Sequence, residues 1–233
     1  MPRDLVLLSG GLDSSTLLAE RAKENTARLA LSVDYGQRHA RELRAAAEVA
    51  AHYAVPHLVL DLTAWGSLLV GSALTDPAVG VPNGHYAAES MRATVVPNRN
   101  ATLLMAAAGV ALAHGCDRVL TAVHTGDHPI YPDCRPEFIA AASEATQRGT
   151  DSAVTVEAPY VHTSKADIAR IAGLVGLPVA LTWSCYEGGE RHCGRCGTCV
   201  ERAEALHLAG VLDPTEYADP NFWRSAVGAA EGR

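Results

Sequence analysis

Apolar and polar positions fall in blocks along this chain, with short apolar runs alternating with longer amphipathic ones. Residues 4–8, 29–33, 57–60, 118–122 and 154–157 are brief runs rich in Leu and Val, the pattern of strands buried on both faces. Between them, residues 38–53 place Leu43, Ala46, Ala47, Ala50 and Tyr53 at three- and four-residue spacings. Arg41, Glu42, Arg44 and Glu48 fall mostly elsewhere, so the segment predicts an amphipathic helix. Residues 102–113 are apolar nearly all round, which predicts a helix buried on several sides, with His114-Gly115 as its stop. Residues 135–148 and 165–174 are further helical candidates. Strands alternating with helices predict parallel pairing through crossovers: an α/β fold with a doubly wound, mostly parallel sheet.

Residues 62–97 follow neither period and hold Pro77, Pro82 and Pro97 among several glycines. A loop-rich stretch this long inside a compact domain is usually functional or mobile. It reads as an active-site cover or as a small disordered insertion.

Composition narrows the class. At 233 residues, 48% hydrophobic and 19% charged, the chain suits one sizeable α/β core with a small appended lobe. Its net charge of −7, without a run of like charges, weighs against a nucleic-acid partner. The apolar residues that follow Met1-Pro2-Arg3-Asp4 are too few for a signal peptide or a membrane span, so no membrane role and a cytoplasmic location are expected.

Two motifs carry chemistry. Ser9-Gly10-Gly11-Leu12-Asp13-Ser14-Ser15 lies directly after the first strand, where the helix that follows offers unpaired N–H groups and the positive end of its dipole. Two glycines would let those amides approach an anion, three hydroxyls add donors, and Asp13 calls for a Mg²⁺ beside any phosphate. A plain strand-to-helix turn with Asp13 or Ser14 as its cap explains only one of these residues. The loop lacks both the Gly-x-x-x-x-Gly-Lys-Ser and the Gly-x-Gly-x-x-Gly patterns. The second motif is Cys185, Cys193, Cys196 and Cys199, spaced C-x7-C-x2-C-x2-C with Gly194 and Gly197 in the turns. Four thiolates close a tetrahedral Zn²⁺ shell with no site for water, so the metal expected is a structural zinc; an iron–sulfur cluster has the same ligand set. Cys116, at a helix end, reads as packing.

The first motif resembles the pyrophosphate loop of the N-type ATP pyrophosphatases, which transfer AMP from ATP to an acceptor oxygen. That resemblance implies an adenine-nucleotide-binding α/β sheet with ATP against Leu8, Ser9, Gly10, Gly11, Leu12, Asp13, Ser14 and Ser15. It also implies that the end of the second strand, with Asp34 and then Gln37, lies beside the adenosine. Further along come Asp34-Tyr35-Gly36-Gln37-Arg38-His39, Val96-Pro97-Asn98-Arg99-Asn100, Tyr131-Pro132-Asp133-Cys134-Arg135-Pro136-Glu137-Phe138 and Thr182-Trp183-Ser184-Cys185-Tyr186. With the cysteines, this series is similar to the 7-cyano-7-deazaguanine synthase family across most of the chain.

The family resemblance implies a catalytic domain over residues 1–180 and a zinc-binding lobe over 181–233. It implies 7-carboxy-7-deazaguanine and ammonium as substrates, ATP with Mg²⁺, a nitrile product and a homodimer. Asp13, Ser14 and Lys165 become the catalytic candidates, with a solvated surface lysine as the alternative for Lys165. Asn98, Arg99, Asn100, His124, Asp127, Tyr131, Asp133 and Arg135 become the substrate candidates, Arg99 or Arg135 facing the carboxylate. Asn98 and Asn100 as helix caps, and Tyr131-Pro132-Asp133 as a turn, are the alternatives. Three rival functions stay open: a relative that joins the adenylated acid to another amine, a tRNA-modifying ligase on the same loop, and a nucleotide-holding module without catalysis.

Overall fold

The computed structural model describes residues 1–86 and 89–231. Five strands form one sheet: β1 (Asp4–Leu7), β2 (Ala27–Asp34), β3 (His57–Asp61), β4 (Arg118–Leu120) and β5 (Thr155–Glu157). Their order is β3-β2-β1-β4-β5, and all four neighbouring pairs are parallel. The chain winds from β1 out to β3 and then returns to the other side of β1, so the order reverses between β1 and β4. In such a sheet the crevice beyond the strand C-termini at that reversal is where ligands bind.

The helices are α1 (Leu12–Lys23), α2 (Arg41–His52), the single turn α3 (Thr63–Gly66), α4 (Arg99–Ala113), α5 (Pro136–Gly149), α6 (Lys165–Leu174), α7 (Gly197–Ala209) and α8 (Phe222–Glu231). Alternation along the strands decides the layers. Leu5, Leu29 and Leu31 point into a core shared with Leu104, Ala107 and Ala111 of α4 and Ile139 of α5. Val6, Leu8 and Ala30 point the other way, onto Leu17 and Leu18 of α1, Ala46 and Val49 of α2 and Ile168 of α6. On that second side Ala205 and Leu206 of α7 join Leu12 and Ala19 of α1 and Ala169 and Ala172 of α6 in a further buried cluster. Cys116 is buried in the first core, and Trp223 of α8 packs at a tilt against His207 of α7 with ring centroids 5.2 Å apart.

One expectation fails in an informative way. Helix α4 is buried along a single stripe, Leu104, Ala107, Ala108 and Ala111, which packs on the sheet. Met105 and Leu112 on its other side are 40% and 49% exposed in this single chain. An apolar sequence all round therefore does not mean burial all round within one copy.

Residues 62–86 and 89–97 are tied down by long-range contacts. Leu74 is fully buried in a cluster with Val33, Tyr35 and Val96, and Met91 is buried in the α4 core. Asn83 bridges to Cys196, and a Cβ on Gly197 would meet the Met91 sulfur at 2.7 Å. Tyr86, from the same stretch, reaches the cavity at the sheet edge.

Candidate active site

The first turn after β1 is built by conformation as much as by composition. Gly10 adopts φ +84°, a region that favours glycine, and a Cβ there would lie 2.3 Å from the carbonyl oxygen of Glu42 and 2.6 Å from the amide of Ala46. Its bare backbone therefore packs on α2 instead of leaving room for a ligand. The first intrahelical bond of α1 runs from the Ser15 amide to the Gly11 carbonyl at 3.1 Å, which leaves the amides of Leu12, Asp13 and Ser14 without helical acceptors. The Ser14 hydroxyl accepts from the Ser9 amide at 3.1 Å and pairs with the Ser9 hydroxyl at 3.0 Å, bracing the turn.

Lys165, first residue of α6, reaches across to this turn. Its Nζ lies 2.5 Å from Asp13 Oδ2 and 3.2 Å from Glu201 Oε2. Burial on its own would lower the lysine pKa, but the Asp13 and Glu201 carboxylates overturn that and raise it, so Lys165 stays a cation. Burial raises the Glu201 carboxyl, and the Lys165 and His124 neighbours pull it back. Asp13 Oδ1 is buried with no hydrogen-bond partner.

His124, 2% exposed, stands among three carboxylates. Its Nε2 is 3.7 Å from Asp13, 3.8 Å from Asp127 and 3.9 Å from Glu201. The other nitrogen, Nδ1, accepts from the Gly126 amide at 3.0 Å, which leaves the ring proton on Nε2, facing the carboxylates. Asp127 Oδ2 in turn accepts from the His124 amide at 3.0 Å, and its Oδ1 takes the Tyr86 hydroxyl at 3.1 Å.

A cavity of about 240 Å³ opens from this cluster along the strand ends. Its lining also carries Tyr35, His39, Glu42, Arg99, Asn100, Tyr131, Cys134 and Tyr186. The Tyr86 and Tyr131 rings lie with centroids 6.0 Å apart, and the Thr94 hydroxyl pairs with that of Tyr131 at 2.6 Å. The Arg99 guanidinium meets the Tyr35 hydroxyl at 3.4 Å; among the described residues no carboxylate lies within ion-pair distance of it.

Behind the cavity, the sulfurs of Cys185, Cys193, Cys196 and Cys199 all lie within 4.8 Å of one another. Tetrahedral zinc–thiolate bonds of about 2.3 Å separate sulfurs by roughly 3.8 Å, so a small contraction closes the shell. Backbone amides already point at these sulfurs: Cys193 N donates to Cys185 Sγ at 3.3 Å, and Arg195 N and Cys196 N donate to Cys193 Sγ at 3.3 and 3.2 Å. Such donors suit thiolates, and the set fits a metal ion. Helix α7 begins at this cluster, so within its first turns it turns Cys199 to the sulfurs and Thr198 and Glu201 to the cavity. Arg202, 1% exposed, locks the same helix to the preceding strap through Thr182, Ser184 and the Val179 carbonyl.

A family model described as "Queuosine biosynthesis protein QueC" matches residues 3–210. The protein of Brucella anthropi named 7-cyano-7-deazaguanine synthase is 55% identical over 227 residues, which cover 97% of each chain. The protein of the same name from Rhizobium meliloti is 56% identical over 229 residues, again 97% of each chain. This chain belongs to the QueC family.

Within this QueC-family chain the expected residues divide by position. Leu8, Ser9, Gly11, Leu12, Asp13, Ser14 and Lys165 line the cavity, as do Arg99, Asn100, His124, Asp127 and Tyr131. Gly10 and Ser15 sit behind the turn, packed against the body. Asp34 and Gln37 shape the end of β2 instead of lining the cavity: Asp34 accepts from the Gly36 amide, and Gln37 bonds Tyr35 N, Val33 O and Glu42 Oε1. Asn98 is exposed at φ +54° and makes no side-chain cap. Asp133 provides the cap on α4, accepting from the Asn100 amide at 2.9 Å, and Arg135 Nε donates to the His128 carbonyl outside the cavity. Of the two arginines considered for a carboxylate, Arg99 is therefore the one on the cavity wall. Tyr35, His39 and Tyr186, which belong to the sequence motifs without an assigned role, line the cavity, and so do Glu201, Glu42 and Tyr86, which no motif contains. Glu201 falls two residues past the last cysteine, and Glu42 three past His39; their nearness to those motifs was the only signal.

Proposed function

We propose that this chain is a carbon–nitrogen ligase that converts 7-carboxy-7-deazaguanine and ammonia to 7-cyano-7-deazaguanine, cleaving ATP to AMP and pyrophosphate, in the making of queuosine. The observation that carries the reading is one continuous cavity between an anion-binding helix end and a wall bearing Arg99 and Glu42. Full-length similarity to proteins named 7-cyano-7-deazaguanine synthase supports the choice of acid.

A carboxylate is a poor electrophile, so its oxygen first displaces pyrophosphate from the α-phosphate of ATP. The free amides at the start of α1, the Ser9 and Ser14 hydroxyls and the Lys165 cation supply donors for the departing negative charge. Ammonia then adds to the acyl adenylate and AMP leaves, giving the amide. A second adenylation at the amide oxygen, followed by loss of AMP and a proton, yields the nitrile. Asp13, with its unpartnered Oδ1, and the neighbouring Asp127 and Glu201 would hold a Mg²⁺ whose chemistry is to neutralise phosphate charge. The four cysteines would hold a structural Zn²⁺, consistent with a reducing cytoplasm. In this reading residues 1–180 carry the nucleotide and 181–233 the metal. The exposed Met105 and Leu112 support a homodimer, which light scattering would test.

Mass spectrometry of the reaction with ATP, Mg²⁺, 7-carboxy-7-deazaguanine and ammonium tests the whole scheme. Nitrile, AMP and pyrophosphate are expected. Amide as the sole product would show that the second adenylation fails, and no ATP consumption with the acid would sink the reading.

A further inference from the structure

Glu42 lies in the first turn of α2 with only 14% of its side chain exposed, on the cavity wall. A carboxylate offers about four lone-pair sites. Here Gln37 Nε2 fills one, at 3.1 Å from Oε1, and His39 Nε2 stands 3.4 Å from Oε2. No lysine or arginine comes within ion-pair distance among the described residues. Gln37 is itself immobilised, its oxygen accepting from Tyr35 N at 2.9 Å and its nitrogen donating to Val33 O at 3.1 Å. Glu42 is thus oriented by a chain of hydrogen bonds anchored in β2, yet keeps unfilled acceptor capacity. His39 repeats the pattern on the same wall: it is 3% exposed, and its Nδ1 is buried without a partner. Arg99 shares the cavity lining, and among the described residues its donors are met only by the Tyr35 hydroxyl.

A buried polar group without partners is costly, and sites that keep such groups are built for a ligand that completes them. The lining offers acceptors on Glu42 and donors on Arg99, among the flat faces of Tyr35, Tyr131 and Tyr186. The complementary ligand is a planar heterocycle whose edge runs donor, donor, acceptor, acceptor. A 7-deazaguanine acid has that edge: exocyclic amine, ring N–H, ring carbonyl and then the 7-carboxylate.

We propose that Glu42, held by Gln37, is the specificity residue that accepts the exocyclic amine and ring N–H of the deazaguanine, with Arg99 facing the carbonyl and carboxylate. The inference rests on the functional reading above and deepens it. The guanidinium nearby argues against ammonium as the group Glu42 serves, because a second cation would be repelled where a neutral amidine edge is not. Burial pushes the Glu42 carboxyl up to about 8, the Gln37 bond and the Arg99 charge opposing that rise, so the carboxylate gains most from donors that a ligand brings.

The test compares 7-carboxy-7-deazaguanine with 7-carboxy-7-deazahypoxanthine, which lacks the exocyclic amine, on wild type and Glu42→Gln. Wild type should prefer the amino compound by roughly 10- to 100-fold in kcat/KM, the discrimination typical of a bidentate contact. Glu42→Gln should erase that preference and raise KM for the amino compound by the same factor, leaving KM for ATP and ammonium unchanged. A variant that keeps the preference, or in which only KM for ammonium rises, overturns the proposal. If wild type consumes ATP with neither acid, the functional reading itself has failed. Calorimetric binding of the acid without ATP gives the same comparison independently of turnover. Should Glu42→Gln not fold, Gln37→Met loosens the carboxylate without removing it. That variant should lose part of the preference, and full retention counts against the idea.

Discussion

Lys165 and Asp13, 152 residues apart, meet as an ion pair at 2.5 Å at the turn between β1 and α1. The pairing holds the lysine beside the α1 amides with no solvated reach to organise. Lys165→Met should lower kcat by on the order of 100-fold, as loss of one donor to developing charge does, with a smaller change in KM for the acid. Single-turnover release of pyrophosphate would locate the loss in adenylation. Asp13→Asn should likewise stop turnover while circular dichroism reports an intact fold.

Gly10 tests whether the turn is set by backbone shape. Gly10→Ala places a Cβ against two backbone atoms of α2 in a left-handed conformation. A loss of about 1–3 kcal/mol is expected from the strain alone, seen as a lower midpoint in thermal denaturation. KM for ATP should rise with it, because α1 must shift.

Cys196→Ser removes one sulfur from a set of four, three of them on buried cysteines. Elemental analysis should find the bound metal lost, and melting should show a loss of several kcal/mol, since metal binding at such a site is folding free energy. Glu201 and Thr198 sit on the same first turns of α7, so residual soluble protein should also show weakened ATP binding.

Glu42 makes the stability of the ligand-free protein fall with pH. Its folded pKa of about 8 stands above the ordinary 4.5, raised by burial, with the Gln37 hydrogen bond and the Arg99 charge pulling the other way. The folded state therefore holds a proton that the unfolded chain has released, a stabilisation complete below about 4.5 and gone once the pH passes the folded value. The melting temperature of wild type minus that of Glu42→Gln should drop between pH 5.5 and 8.5, by at least ~2 °C for a chain of this size. A flat difference would contradict the raised value.

The sheet was readable from sequence because each strand is a compact apolar run bounded by turn residues; all five runs became strands, and residues 165–174 became α6 as predicted. Helix α4 starts three residues before its apolar pattern does, because Arg99 and Asn100 serve the cavity and break the period. Residues 62–97 were opaque for a different reason. Their order comes from Leu74, Asn83 and Met91 meeting partners far along the chain, and no local period encodes such contacts. Glu42 looked like any polar residue on the outer face of a helix. Only the placement of that helix's first turn at the strand ends turns it toward the cavity.

The bare backbone of Gly10 has a last effect. It lets the turn before α1 touch α2 at the carbonyl of Glu42, whose side chain lines the same cavity. The turn and that carboxyl-bearing helix start are thereby clamped like the jaws of a caliper, with no flexible side chain in the joint to give. Any molecule that touches both must match a span set by the chain before binding begins. An inserted residue or a bulkier contact at that joint would change which lengths of ligand are accepted, even though neither jaw had been altered.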